Sequence, residues 1–167
     1  MKWLYRAALC LLLVLAVGGQ VSAQTQVTVK GALYQAGTPQ VTAIDQEHWV
    51  AVEDLRGVKI DTTTGSGPLT DMTADNKLVL FGDKNVIHFH GYLTLMDKDG
   101  DKMVYEISDA SAASPGKAAG KIVASTGRFA GMEGTIETTI VGLTPFQDGA
   151  RYSIGYCVEK LTFKTPL

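Results

Sequence analysis

Only two cysteines occur in this chain, and one of them, Cys10, falls within the first 23 residues. If that leader is removed, Cys157 stands alone and no internal disulfide can staple the fold. A lone cysteine of this kind reads as a small buried apolar residue. Proline is sparse, with five in 167 residues, and no long stretch carries a helical repeat, which excludes a helix bundle. Runs of like charge are absent, which argues against nucleic acid or an anionic membrane surface as partner. No apolar stretch reaches the roughly 20 residues needed to span a bilayer as a helix. Also missing are a Gly-x-Ser-x-Gly elbow, a phosphate loop and a metalloprotease helix. The sequence therefore announces no reaction, and whether the chain is an enzyme stays open, with a non-enzyme favoured.

The leader itself has three recognisable parts. Lys2 and Arg6 make a cationic start, residues 7–17 (AALCLLLVLAV) are 11 residues without a charge, and Val21-Ser22-Ala23 ends in a small residue. This is the layout of a secretory signal. Cleavage after Ala23 is expected, giving a periplasmic or secreted chain of 144 residues, 24–167, with no membrane anchor left. Cys10 follows Leu9 inside the apolar stretch, which does not suit a lipoprotein site. Losing Lys2 and Arg6 leaves 13 cations against 17 anions, a mild net charge of −4.

The remainder reads as one all-β domain. Glycines are abundant and spread out, valine and threonine are common, and strand-length segments alternate with Gly, Asp and Asn signals. Strands are expected at 27–34, 48–54, 57–63, 78–81, 86–96, 103–108, 121–125, 131–141 and 151–163, with a bulge or bend near Gly155. The small residues of 108–120 (SDASAASPGKAAG) are expected to form a loop. Roughly eight strands suit a barrel or a sandwich, and closure into a barrel removes exposed strand edges.

Two short patterns invite chemistry. Asp97-Lys98-Asp99-Gly100-Asp101 places three carboxylates at alternate positions, as a Ca²⁺ loop does. However, Lys102 stands where the turn glycine of an EF-hand belongs, and Ser108 where its closing glutamate belongs. A hairpin with Asp-Gly supplying a positive φ is the favoured reading. His88 and His90 lie on one face of the 86–96 strand, about 7 Å apart. They can chelate a metal only if another strand adds a third ligand. No metal or other cofactor is assigned. Glu53, Glu106, Glu133 and Glu137 can do acid–base work only if they are buried.

Residues 91–138 carry a resemblance. They contain GYLTLMDKDGDKMVYEI, a loop of small residues, and then KIVASTGRFAGMEGTIET. This order is similar to that of bacterial exported proteins related to the allene oxide cyclase and dirigent β-barrels, a calycin-like set. That family commonly has Gly-Thr-Gly-Lys/Arg-Phe/Tyr-x-Gly-x-x-Gly. Thr126, Gly127, Arg128, Phe129, Gly131 and Gly134 match it, whereas Ser125 replaces its first glycine. The likeness covers roughly a third of the mature chain. It implies an eight-stranded antiparallel barrel, often trimeric, with an apolar central cavity. It also implies structural roles for Asp97, Asp99, Gly100 and Asp101 in the turn and for Gly127, Gly131 and Gly134 at a sharp corner. Phe129 would plug one barrel end and Arg128 would sit at its rim. No functional residue of the family is carried over onto this chain.

These readings converge on an exported barrel that binds a small apolar or aromatic molecule in its interior. His88, His90 and Tyr92, with Tyr152 and Tyr156, are the candidate ligand contacts, provided that they point inward. A barrel that only scaffolds a homo-oligomer is the alternative, as is a cyclase- or isomerase-like enzyme using Glu106 or Glu137.

Overall fold

A computed structural model describes residues 24–63, 69–84, 86–109, 116–143 and 150–163. The expected signal peptide, and residues 110–115 of the expected 108–120 loop, lie outside the described residues. The flanks of that loop are strand rather than coil.

Among the described residues, nine strands form a single antiparallel sheet: β1 (Thr25–Gly37), β2 (Gln40–Ala43), β3 (His48–Asp61), β4 (Met72–Asp83), β5 (Val86–Met96), β6 (Lys102–Asp109), β7 (Lys117–Ser125), β8 (Glu133–Leu143) and β9 (Arg151–Phe163). The order is β1-β9-β8-β7-β6-β5-β4-β3, and β3 then pairs back onto β1, closing an eight-stranded barrel. β2 is an extra strand on β3. It pairs with residues 49–52 of β3, while β1 takes residues 55–61. The expected barrel is thus the fold, with differences in its strands: β4 starts at Met72 rather than 78, β7 at Lys117 rather than 121, and β8 is shifted two residues on from 131–141. The segments 48–54 and 57–63 are one continuous β3 ending at Asp61. The bulge lies in β8 between Ile140 and Gly142, opposite Gly155 and Ile154, rather than in β9. β2 was not foreseen.

Alternation explains which side chains fill the barrel. On β3, Ala51, Glu53, Leu55, Lys59 and Asp61 are buried, and Val52, Asp54, Val58 and Ile60 lie between them on the other face. On β5 the inward set is Ile87, Phe89, Gly91, Leu93 and Leu95, which is the face expected to form the core.

The two ends of the barrel differ. At the end that holds the β5–β6 hairpin, Leu69, Met72, Leu95, Met103, Phe129, Met132, Leu161 and Phe163 are all buried in one cluster. Phe129 sits on a short 3-10 turn (Gly127–Phe129) and is completely covered. Burying one such side chain is worth about 1.5–3 kcal/mol, so this layer closes its end of the barrel with substantial stability. Among the described residues, the opposite end, where the β6, β8 and β4 strands finish and the β5, β7 and β9 strands begin, is less filled and holds the cavity.

Candidate functional site: a cavity in the open half of the barrel

The cavity measures ≈ 230 Å³. Its walls are mainly aliphatic and aromatic: Leu33, Leu55, Leu78, Leu80, Phe89, Leu93, Ile107 and Ile136. They come from strands all round the barrel because each contributes alternate residues to the interior. Ala118 and Ala119 on β7 leave room where larger side chains would fill the space. An eight-stranded barrel is about the size at which side chains either fill the interior or leave space for one small ligand.

Polar groups enter this wall at a few points. Glu53 on β3 and Arg151 on β9 form an ion pair inside it, with their side chains only 2% and 13% exposed. Gln35 on β1 and Asn76 on β4 are both buried, and Asn76 Nδ2 donates to Gln35 Oε1 at 3.4 Å. Thr138 and Ser153 complete the polar lining.

Beneath the cavity lies a second polar group with no exposed side-chain surface. Lys59 Nζ donates to Glu159, and Tyr105 Oη donates to the other carboxylate oxygen at 2.7 Å. Their Cα partners in the sheet, Leu33, Ile136 and Leu93, line the cavity floor. Burial, with the Glu159 carboxylate beside it, pushes the Tyr105 phenol far above its ordinary range. Cys157 is a free, buried thiol, as expected of a lone cysteine. Burial first, and then Glu159, raise it to about 11. It is thus an unreactive core residue at neutral pH.

The residues selected from the sequence fall elsewhere. His88, His90 and Tyr92 lie on the outer face of β5, and Tyr152 and Tyr156 on the outer face of β9. All five are exposed and none lines the cavity. The condition on which they were ligand contacts, that they point inward, is not met: the strand pleat that turns Phe89 and Leu93 inward turns these side chains out. His88 Nδ1 instead sits 3.0 Å from Asp109, and His90 Nε2 lies 3.7 Å from Glu106, with its ring edge-on to Tyr92. Among the described residues, no three His, Cys, Asp or Glu side chains converge as metal ligands. Glu106 faces outward to His90 and Lys121, and Glu133 and Glu137 are exposed. Of the four carboxylates considered for acid–base work, only Glu53 is buried. Sequence reasoning missed Gln35, Lys59, Asn76, Arg151 and Glu159. For Gln35, Asn76 and Glu159 the available signal was a polar residue in phase with an apolar neighbour two positions away, whereas Lys59 and Arg151 carry no such signal.

The turn motif takes the hairpin geometry. Asp97 N–H donates to Asp101 O at 3.0 Å, Gly100 N–H donates to Asp97 O at 3.2 Å, and Gly100 has φ +89°. Asp97 Oδ1 accepts from the N–H groups of Asp99 and Asp101, and its other oxygen meets Arg128 Nε at 2.7 Å. Asp101 accepts the Arg128 N–H at 3.0 Å. Burial alone would raise the Asp97 carboxyl, but the two N–H donors and the guanidinium hold it below its usual range. Gly127 has φ +57°, and a Cβ there would lie 1.6 Å from Asp101 Oδ1, so the hairpin can dock only on glycine. Gly131 also has a positive φ, of 75°. Gly134 lies within β8, where a Cβ would come 2.5 Å from Lys160 O. The Arg128 guanidinium stacks over the Phe129 ring, 4.7 Å from its centroid.

With this geometry in hand, the barrel can be set beside solved structures. It is similar to the pterocarpan synthase dirigent protein GePTS1, with a TM-score of 0.52 and 11% identity over 83% of this chain and 90% of that one. A second pterocarpan synthase dirigent protein, PsPTS1, aligns with a TM-score of 0.50 and 11% identity over 87% of this chain and 99% of its own. At that identity the likeness is one of fold, and the chain folds as a dirigent-like β-barrel. No family model matches the sequence, and no curated protein matches it.

Proposed function

We propose that this protein is an exported barrel that takes up one small apolar or aromatic molecule in its interior. The observation that carries the reading is the ≈ 230 Å³ cavity with leucine, isoleucine and phenylalanine walls and a few buried polar groups. Concave, mostly apolar sites with sparse polar anchors are the usual form of small-molecule sites. The cationic, apolar and small-residue parts of residues 1–23 support export. The resemblance of residues 91–138 to the exported bacterial barrels supports kinship with them. The test uses protein recovered from outside the cytoplasm. Its mass should correspond to a chain beginning at Gln24, and it should bind an apolar fluorescent probe at one site per barrel. Ala118→Trp should abolish uptake while leaving the β-sheet circular dichroism unchanged. A full-length chain retained in the cytoplasm would end the export part, and equal uptake by the filled variant would end the cavity part.

A second reading, homo-oligomer assembly, is favoured by a different observation. On the outer face, Tyr156, Ala32 and Ile60 lie in one row across β9, β1 and β3, and Ile154, Tyr34 and Val58 in the next. The five large side chains of these rows are between 39% and 58% exposed. Contiguous apolar surface of this kind marks interaction sites. The two readings are compatible, since one uses the interior and the other the exterior.

A further inference from the structure

Gln35 and Asn76 face the cavity from β1 and β4 and are only 5% and 6% exposed. Their mutual hydrogen bond, at 3.4 Å, uses one atom of each amide. Gln35 Nε2 and Asn76 Oδ1 then have no hydrogen-bond partner among the described residues. Turning both amides over exchanges the atoms without changing the count, and one donor and one acceptor still remain. Each unsatisfied buried group costs about 1–3 kcal/mol. Leucine at both positions would avoid that cost, so the pair calls for a partner in the cavity, water or a ligand that displaces it, that supplies the complementary acceptor and donor.

Two further properties of the cavity narrow that partner. Among the described residues, the ionic groups in its lining are Glu53 and Arg151, which neutralise one another and leave no unpaired charge there for an ion. Its ≈ 230 Å³ exceeds by about half the roughly 150 Å³ of a cavity known to hold benzene, which gives room for about ten heavy atoms, or two fused rings.

We infer that the ligand is a neutral, flat bicyclic molecule carrying a lactam. Its carbonyl accepts from Gln35 Nε2 and its N–H donates to Asn76 Oδ1. A lactam places acceptor and donor on neighbouring atoms in one plane, as the side-chain amides themselves do, and so extends their pairing without bringing in charge. This inference rests on the reading of the cavity as a ligand site.

The experiment compares quinolinone, naphthol and naphthalene as probes, using calorimetry and native mass spectrometry on the full protein. Quinolinone should bind at least about tenfold tighter than naphthalene, the equivalent of one buried hydrogen bond. Gln35→Leu with Asn76→Leu should erase that advantage and keep naphthalene binding, which also shows that the variant is folded. Equal binding of quinolinone and naphthalene overturns the inference but leaves the cavity reading intact. So does a preference for naphthol, or a lactam preference that survives in the variant. Failure of all three probes to bind overturns both.

Discussion

Lys59 carries its ammonium group into the barrel with no exposed side-chain surface, and Glu159 meets it there under the same conditions. Two charges buried in this way recover their desolvation cost only through their pairing and the hydrogen bond that Tyr105 adds. Removing one partner is therefore worse than removing all. Glu159→Leu alone should cost about 3–5 kcal/mol, because it leaves Lys59 charged and unpaired and deprives Tyr105 of its acceptor. The triple change Lys59→Met, Tyr105→Phe and Glu159→Leu should cost much less, since similar volumes then pack without polar atoms. Urea unfolding of both variants measures the difference. If the single variant is as stable as the triple, the pair is in contact with water and the dry-interior account is wrong.

At the scale of the element, the β5–β6 hairpin and the Gly127–Phe129 turn behave as one closure. Asp97 is its centre, receiving two N–H groups of its own loop and the guanidinium of Arg128. Its folded carboxyl titrates below the unfolded value of about 3.9. The stability it contributes is therefore fully present above that value and is lost as pH falls through the lower folded one. Asp97→Asn should destabilise the protein at neutral pH by about 2 kcal/mol, the scale of a hydrogen bond to a charged group. It should also flatten the fall in melting temperature below about pH 4, where the wild type alone still has this carboxylate to protonate. Thermal melts from pH 7 down to pH 2.5 would check both, and parallel acid profiles would exclude the role given to Asp97.

This hairpin was legible in the sequence, as were the bounds of β5 and β9, because Asp-Gly turns and clean alternation report local geometry. β3 was read as two strands, 48–54 and 57–63, with Gly57 opening the second. In the barrel, Gly57 is required inside the strand, since a Cβ there would lie 1.7 Å from Tyr34 O. That approach is a long-range contact and leaves no local trace. The site was hidden for a related reason. On β5 both phases hold large side chains, and the face with two imidazoles and a phenol looked like the chemical one. Closure of the sheet decided otherwise, and the cavity's polar groups came instead from Gln35, Asn76, Glu53 and Arg151, scattered over four other strands, β1, β4, β3 and β9.

For the whole molecule, closing the barrel fixes what the outer surface offers. The register that joins β9, β1 and β3 inside also aligns Tyr156 with Ile60, and Ile154 with Tyr34 and Val58, outside. Arg56 and Lys160 lie on the same outer faces of β3 and β9, so the patch has an apolar centre and charged neighbours. That is the composition of an interface core with its rim. If copies of the barrel associate through it, as the trimers implied by the sequence resemblance would, Tyr34 and Ile154 occupy the centre. Central apolar positions cost about 2 kcal/mol or more when lost, roughly a thirtyfold weakening for each contact. Light scattering behind size exclusion should then give a mass near three chains for the wild type and one chain for Tyr34→Lys with Ile154→Lys. Probe uptake should be unchanged, because neither residue lines the cavity. A wild type that stays monomeric at high concentration would exclude self-association through this face.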